Sequence, residues 1–183
     1  LNDVSGVRCT SGSSIFKDRV AEKSDILVEN IEEKGGIVYA MSNTPEFGAG
    51  ANTFNEVFGQ TFNPWDIRKS VAGSSGGAAA ALATGMAWLA HGSDFGGSLR
   101  NPASFCSVVG MRPSPGRVAS NPSGILSQTL GVNGPMARNV LDLALFFDAM
   151  IGEKTKDPIS IPIPNRSFLS YAQERKKPVK VAI

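Results

Sequence analysis

The chain has 183 residues, 42% of them hydrophobic and 19% charged, which is enough for one globular core and too little for two large domains. Lys and Arg total 18 against 16 Asp and Glu, and the formal net charge of +2 sets up no field that would draw in nucleic acid or an anionic membrane. No apolar run approaches the roughly 18 residues that cross a bilayer, no charged leader precedes a short apolar stretch, and Cys9 and Cys106 form no metal or redox spacing. These features predict a soluble, cytoplasmic protein in a reducing compartment.

In chain order, "SDILVENIEEKGG" (24–36) opens on a Ser-Asp cap, carries Ile26, Leu27 and Ile31 at helical spacing and stops at Gly35-Gly36; it predicts a helix. "IVYAM" from Ile37 is short, β-rich and bounded by Gly and Asn, and so reads as a buried strand. From Ser42 to Val71 the chain turns rich in Gly, Asn and Pro, and a loop of that length in a compact domain is usually functional. "AGSSGGAAAALATG" then changes from a glycine loop into a tightly packed alanine-rich helix, followed by "MAWLAHG" as a short strand or extended link. "SLRNPASFC" predicts a short helix interrupted by Pro102, "NVLDLALFFDAMIG" an amphipathic helix over 140–152, and the terminal "VKVAI" a strand. The basic run "QERKKPVK" reads as a solvated face. Helix and apolar strand alternate, which points to a layered α/β sandwich. The chain opens on Leu1 rather than methionine and closes inside a strand pattern, so both ends read as cut.

The chemistry lies in two glycine-framed serine clusters, "GSSGG" (Gly73–Gly77) and "DFGGS" (Asp94–Ser98). Neither is a phosphate cradle, because the Walker loop and the dinucleotide fingerprint both require spacings that are absent. A Ser-His-Asp triad needs an imidazole as base, and the one histidine, His91, lies seven residues before Ser98 in an apolar stretch. It reads as structural, and "GGSLR" is not a Gly-x-Ser-x-Gly elbow. Lysine is the alternative base, provided burial or positive neighbours lower its pKa.

With that requirement, the pairing of "GSSGG" with "GSDFGGSLRNPASFC" resembles the amidase signature family, which hydrolyses carbon-nitrogen bonds with a Ser, cis-Ser, Lys triad. "GVRCTSGS", "NTPEFG", "FGQTFNPWDIRKSVAGSSGG", "GMRPSPGRV" and "GPMARNVLDLALFFDAMIG" also stand in the family's order. The resemblance implies an α/β fold, a layered α/β/α sandwich around a mixed β-sheet, present here over residues 1–183 as a partial domain. It puts the nucleophile at Ser98 and the proton relay at Ser74, with a cis peptide beside the latter. The glycines at 96 and 97 bare the amides of Phe95, Gly96, Gly97 and Ser98 to form an oxyanion hole. Ser75, Asp94 and Arg100 would support the loop, although Asp94 and Arg100 read equally well as a plain salt bridge.

The family's lysine sits in a Lys-Asp pair just before the segment that matches "LNDVSGVRCTSGS". Lys17, Lys23, Lys34 and Lys69 do not match it, so the 183 residues alone are expected to be inactive. Ala72 stands where the family usually has glycine, and Met41-Ser42 where Lys-Thr is common. The backbone of Gly48, in "EFGAGAN", aligns with the acyl side of the substrate. The implied substrate is a small amide, with no cofactor, no metal, no direct contact with nucleic acid, no membrane, and a homodimer left open. "GGSLRNPASFC" and "RPSPGRV" look closer to stand-alone amidases than to the glutaminase-type A component of a glutamyl-tRNA amidotransferase, in which Ile-Arg-Gln-Pro is more usual. That component is the second reading, and a non-catalytic fragment of an amidase the third.

Overall fold

A computed structural model describes residues 1–121 and 129–174. Its elements are α1 (Ile26–Glu33), β1 (Phe54–Asn55), β2 (Gly59–Gln60), α2 (Gly76–Ala83), β3 (Leu89–Asp94), α3 (Arg100–Cys106), β4 (Val109–Gly110), β5 (Val132–Ala137), α4 (Val140–Met150) and α5 (Phe168–Gln173). The class is α/β. Strands β3, β5 and β4 form one sheet with β5 in the centre, and β3 runs antiparallel to β5 from Leu89 opposite Ala137 to Asp94 opposite Val132. A single parallel bridge joins Val118 to Gly152.

Successive strand residues point to opposite faces, and this alternation builds the layers. Ala90 packs with Met136 against Ala78, Ala79 and Leu82 of α2 and Ala103 of α3. Its neighbour Leu89 packs against Phe146, Phe147 and Met150 of α4 together with Leu27 and Ile31 of α1. The sheet therefore carries a helical layer on each side. Phe168 of α5 closes the second layer, its ring 4.5 Å from that of Phe147. The alanine run of α2 follows from this geometry: with almost no side-chain volume between them, helix and sheet approach closely, and Ala78, Ala79 and Leu82 are fully buried.

Several local expectations change. Residues 37–41 form no strand among the described residues: Ile37 is 86% and Tyr39 65% exposed, while Val38 packs onto the small cluster of Val4, Cys9, Ala21 and Val28. The run is extended with one face covered, but a strand needs a ladder partner, which no local pattern of residues can supply. The helix at 100–106 is unbroken, because Pro102 falls in its first turn, where its missing N–H has no intrahelical acceptor to lose. Strand β3 starts at Leu89, leaving Met86 and Trp88 exposed, and α4 ends at Met150. Asp25 sits at the N-cap of α1 without capping it; its carboxylate accepts from Asn2, the Asp3 amide and Asn121, and Asn121 Oδ1 takes the Ile26 N–H at 2.9 Å. Lys34 closes α1 as expected and reaches further, donating to the carbonyls of Asp148 and Ile151 at the end of α4. The strand predicted at "VKVAI" and most of the basic run lie outside the described residues. No helix among the described residues is long and apolar enough to cross a membrane.

The loop that follows β3 is anchored by Leu99, which is fully buried over a cross-strand glycine pair, Gly92 opposite Gly134. A Cβ at Gly92 would meet Leu99 Cδ2 at 2.7 Å, and one at Gly134 would meet Leu99 Cδ1 at 2.7 Å and the Met111 carbonyl at 2.4 Å. Because a backbone carbonyl cannot swing aside, Gly134→Ala should destabilise the fold by about 1–3 kcal/mol, the usual cost of overpacking. Denaturant titration checks it; an unchanged midpoint would contradict the packing described.

Candidate active site

The two serine clusters, some twenty residues apart in sequence, meet in the structure. The Ser75 N–H donates to the Ser98 carbonyl at 3.3 Å. The Ser75 hydroxyl lies 3.2 Å from both the N–H and the carbonyl of Ser93. Ser74 is buried at the end of the glycine loop, and the Gly73–Ser74 peptide is cis, so of the two peptides flanking Ser74 it is the preceding one. Ser98 is half-buried between β3 and α3. Ser74, Ser75 and Ser98 thus share one corner of the fold, at the C-terminal end of β3 and the N-terminal ends of α2 and α3.

Asp94 organises this corner. Its side chain is fully buried, and its carboxylate accepts from the Gly97 N–H at 2.8 Å, the Leu99 N–H at 3.2 Å, Arg100 Nε at 2.9 Å and Nη2 at 3.1 Å, and Arg112 Nη1 at 3.1 Å. Burial alone would raise its pKa, but the hydrogen bonds from Arg100 and the two amides, with the charge of Arg100, outweigh it and hold the carboxyl well below the usual range. The loop is therefore folded around a fixed anion. Arg112 also donates to the carbonyls of Asp94 and Leu130.

This hub sorts the expected oxyanion donors. The Gly97 amide is spent on Asp94 Oδ1, whereas the amides of Phe95, Gly96 and Ser98 have no acceptor among the described residues. Three free donors remain of the four. Gly97 has φ of +117°, and a Cβ there would lie 2.8 Å from Asn101 Nδ2, so the position needs glycine for both conformation and space. Gly48, with φ of +70° in the turn Glu46–Gly48, lies against Leu1, whose Cδ1 would be 2.5 Å from an added Cβ.

His91 is poorly suited as a base. Its Nε2 faces Asn133 Oδ1 at 2.9 Å, and burial drops its pKa to about 4, which makes it a weak proton acceptor. Lys17, Lys23 and Lys69 are exposed, and Lys34 is committed to helix carbonyls. Burial pushes the Cys106 thiol up to about 11, which keeps it protonated.

Three supporting residues have roles that no local motif predicts: Thr53 stands outside the motifs, and Asn43 and Arg112 lie within "NTPEFG" and "GMRPSPGRV", which assign them none. Thr53 is buried, and its hydroxyl donates to the Ala72 carbonyl at 2.9 Å, touches the Ser74 carbonyl at 3.4 Å and accepts the Gly76 N–H at 3.1 Å. The Asn43 carbonyl takes the Gly77 N–H at 3.2 Å. They explain the glycines of "GSSGG": an added Cβ would lie 2.3 Å from Thr53 Oγ1 at Gly76 and 2.4 Å from the Asn43 backbone at Gly77. Ala72, where glycine was expected, has φ of +60°, the left-handed conformation that glycine adopts without steric cost.

Comparison with known proteins identifies the family and the fold. The family model described as Amidase matches residues 1–183. The A component of the glutamyl-tRNA(Gln) amidotransferase of Moorella thermoacetica is 39% identical over 178 residues, covering 97% of this chain and 37% of that protein. Among solved structures, a vestigial protein complex bearing on the origins of an s-triazine catabolic enzyme superposes with a TM-score of 0.86 at 34% identity, over 94% of this chain and 38% of that one. The peptide amidase of Stenotrophomonas maltophilia superposes with a TM-score of 0.81 at 30% identity, over 94% and 36%. The chain thus spans a little over a third of the length of its relatives, and with its whole length matched it belongs to the amidase signature family.

Proposed function

We propose that the protein hydrolyses the carbon-nitrogen bond of a carboxamide through an acyl-enzyme on Ser98. The observation that carries this reading is the meeting of the two serine loops at Ser75, whose N–H bonds the Ser98 carbonyl, while the buried Asp94 carboxylate takes the Gly97 amide and the amides of Phe95, Gly96 and Ser98 have no acceptor among the described residues. Ser98 Oγ attacks the carbonyl carbon, and its proton passes to Ser74 Oγ and on to a lysine that precedes Leu1 in the full-length protein. The carbonyl oxygen, now negative, is met by the amides of Phe95, Gly96 and Ser98. Collapse breaks the carbon-nitrogen bond as the relay returns the proton to the leaving nitrogen. Water then attacks the acyl ester by the same route, releasing the carboxylate and restoring Ser98. Ser75 bonds the two loops to each other, Arg100 holds the Asp94 loop in shape, and the Gly48 backbone faces the acyl side.

The substrate reading follows the relatives. Similarity to the Moorella amidotransferase component over 97% of the chain favours the side-chain amide of glutamine, hydrolysed within a larger amidotransferase. A stand-alone amidase acting on small linear amides is the second reading, favoured by Asn101 in "SLRNP", where the amidotransferase component usually carries glutamine, and by the similarity to the peptide amidase. Ammonia release from glutamine that depends on a companion protein and tRNA would support the first. Hydrolysis of aryl amides by the isolated full-length protein would support the second.

A fluorophosphonate probe should label Ser98 of the full-length protein, as read by peptide mass spectrometry, and label at any other serine would overturn the nucleophile. Ser74→Ala should slow acylation by about 100-fold, the usual scale for loss of proton transfer, with little change in melting temperature; an unchanged rate would remove the relay.

Asp94→Asn should cost about 2–3 kcal/mol at pH 7, the half-exposed Arg100 keeping this below the loss of a fully buried pair. Because the folded pKa of Asp94 is depressed, its contribution is complete above the unfolded value of about 3.9 and fades as pH falls below it. Denaturant titrations of both proteins should therefore show a constant gap from pH 5 to 7 that narrows below pH 4. A gap that widens in acid would refute the ion-pair account.

A further inference from the structure

Thr53 stands outside both serine motifs, yet among the described residues no other side chain touches the backbone on either side of Ser74 in the same way. Its Oγ1 donates to the Ala72 carbonyl at 2.9 Å, has the Ser74 carbonyl at 3.4 Å, and accepts the Gly76 N–H at 3.1 Å. One hydroxyl therefore spans the Gly73–Ser74 peptide and the first residue of α2, using its donor and an acceptor site at once. Thr53 is itself fixed: its carbonyl takes the Thr61 N–H at 3.0 Å, and the β1–β2 hairpin begins at the next residue. Behind it, Asn55 donates to the Asn43 side chain at 2.6 Å and Asn43 to Thr61 Oγ1 at 3.0 Å. The hairpin is thereby clamped to the segment whose Asn43 carbonyl receives the Gly77 N–H.

We propose that Thr53 is a positioning residue for the Ser74 relay, acting through the Ala72, Ser74 and Gly76 backbone rather than touching substrate. The proposal rests on the reading of Ser74 as relay. A proton relay works only with its heavy atoms within hydrogen-bond reach, and displacement by about 1 Å can cost on the order of 100-fold in rate. The side-chain methyl is not needed for this; the hydroxyl is. Threonine rather than serine suits a buried position with a single preferred rotamer, because the branched Cβ limits the directions the hydroxyl can take.

Four variants of the full-length protein test it: Thr53→Val, Thr53→Ser, Ser74→Ala and Thr53→Val combined with Ser74→Ala. The readouts are kcat, KM and the second-order rate constant of fluorophosphonate labelling at Ser98, measured against active-site concentration so that only folded molecules count. Thr53→Val should lower kcat and the labelling rate by about 10- to 100-fold with KM within about twofold, and Thr53→Ser should keep both rates within about threefold of the parent. In the Ser74→Ala background, Thr53→Val should have no further effect on the labelling rate, because there is no relay left to position. Thr53→Val with full rates per active site but a lower melting temperature would make Thr53 a structural residue and overturn the proposal. So would a loss of about 10-fold or more in Thr53→Ser, which also decides the matter if the valine variant does not fold. An unimpaired Ser74→Ala enzyme would instead refute the relay itself, an outcome distinct from a Thr53 failure.

Discussion

The corner that holds the serines depends on one buried anion. Asp94 ends β3, and its carboxylate gathers two backbone amides and two guanidinium groups from three parts of the chain. A carboxylate with no access to water is costly unless every lone pair finds a donor, and here two of the donors are amides of the loop itself. Folding of the segment from Phe95 to Leu99 and satisfaction of the charge are the same event. The loop cannot relax into another conformation without stranding the carboxylate, so its free amides are directed by the constraint that commits the others. A preorganised donor costs nothing to reorient when negative charge develops.

The second serine loop is held from a different side. The hairpin carrying Thr53 and the segment carrying Asn43 press on its backbone through hydrogen bonds, where the first loop is fixed by charge. The two systems meet at Ser75, whose N–H and hydroxyl bond the Ser98 and Ser93 backbones. The relative placement of the loops rests on these few neutral bonds, each worth about 1 kcal/mol net, and on the packing of α2 against Leu99, α3 and the sheet. Lys34 plays a comparable tying role at the far end of the domain, where one ammonium serves the carboxyl-terminal end of α4 from the end of α1.

How far the sequence revealed this can be read from particular residues. The helical period of Ile26, Leu27 and Ile31 and the glycine stop after Lys34 located α1, and the glycine-framed serines marked the two loops that meet in the fold, because both signals are local. The run at 37–41 misled for the opposite reason: a ladder partner is a tertiary fact, and Ile37 and Tyr39 are exposed. The roles of Thr53, Asn43 and Arg112 are not legible, although the last two lie inside the motifs, because they depend on which backbone groups arrive beside them from 18 to 34 residues away. Even the glycines of "GSSGG", the most visible feature in the chain, are needed for a reason that only the fold displays, the close approach of Thr53 and Asn43.

The packing of Leu99 on the pair Gly92 and Gly134 makes three distant positions share one volume. Each of the two glycines faces a different terminal methyl of the same side chain, so the space available at one is set by what occupies the others. Substitutions there are coupled: a Cβ at Gly92 would displace both Leu99 Cδ2 and Ser75 Oγ, and at Gly134 a smaller residue at 99 would still leave the Met111 carbonyl in the way. Leu99 lies next to Ser98, so drift in that shared volume would be felt first by the serine. Sequence change at the strand centre is thus coupled to the chemistry beside it, and any redesign of this sheet must treat 92, 99 and 134 as a single site.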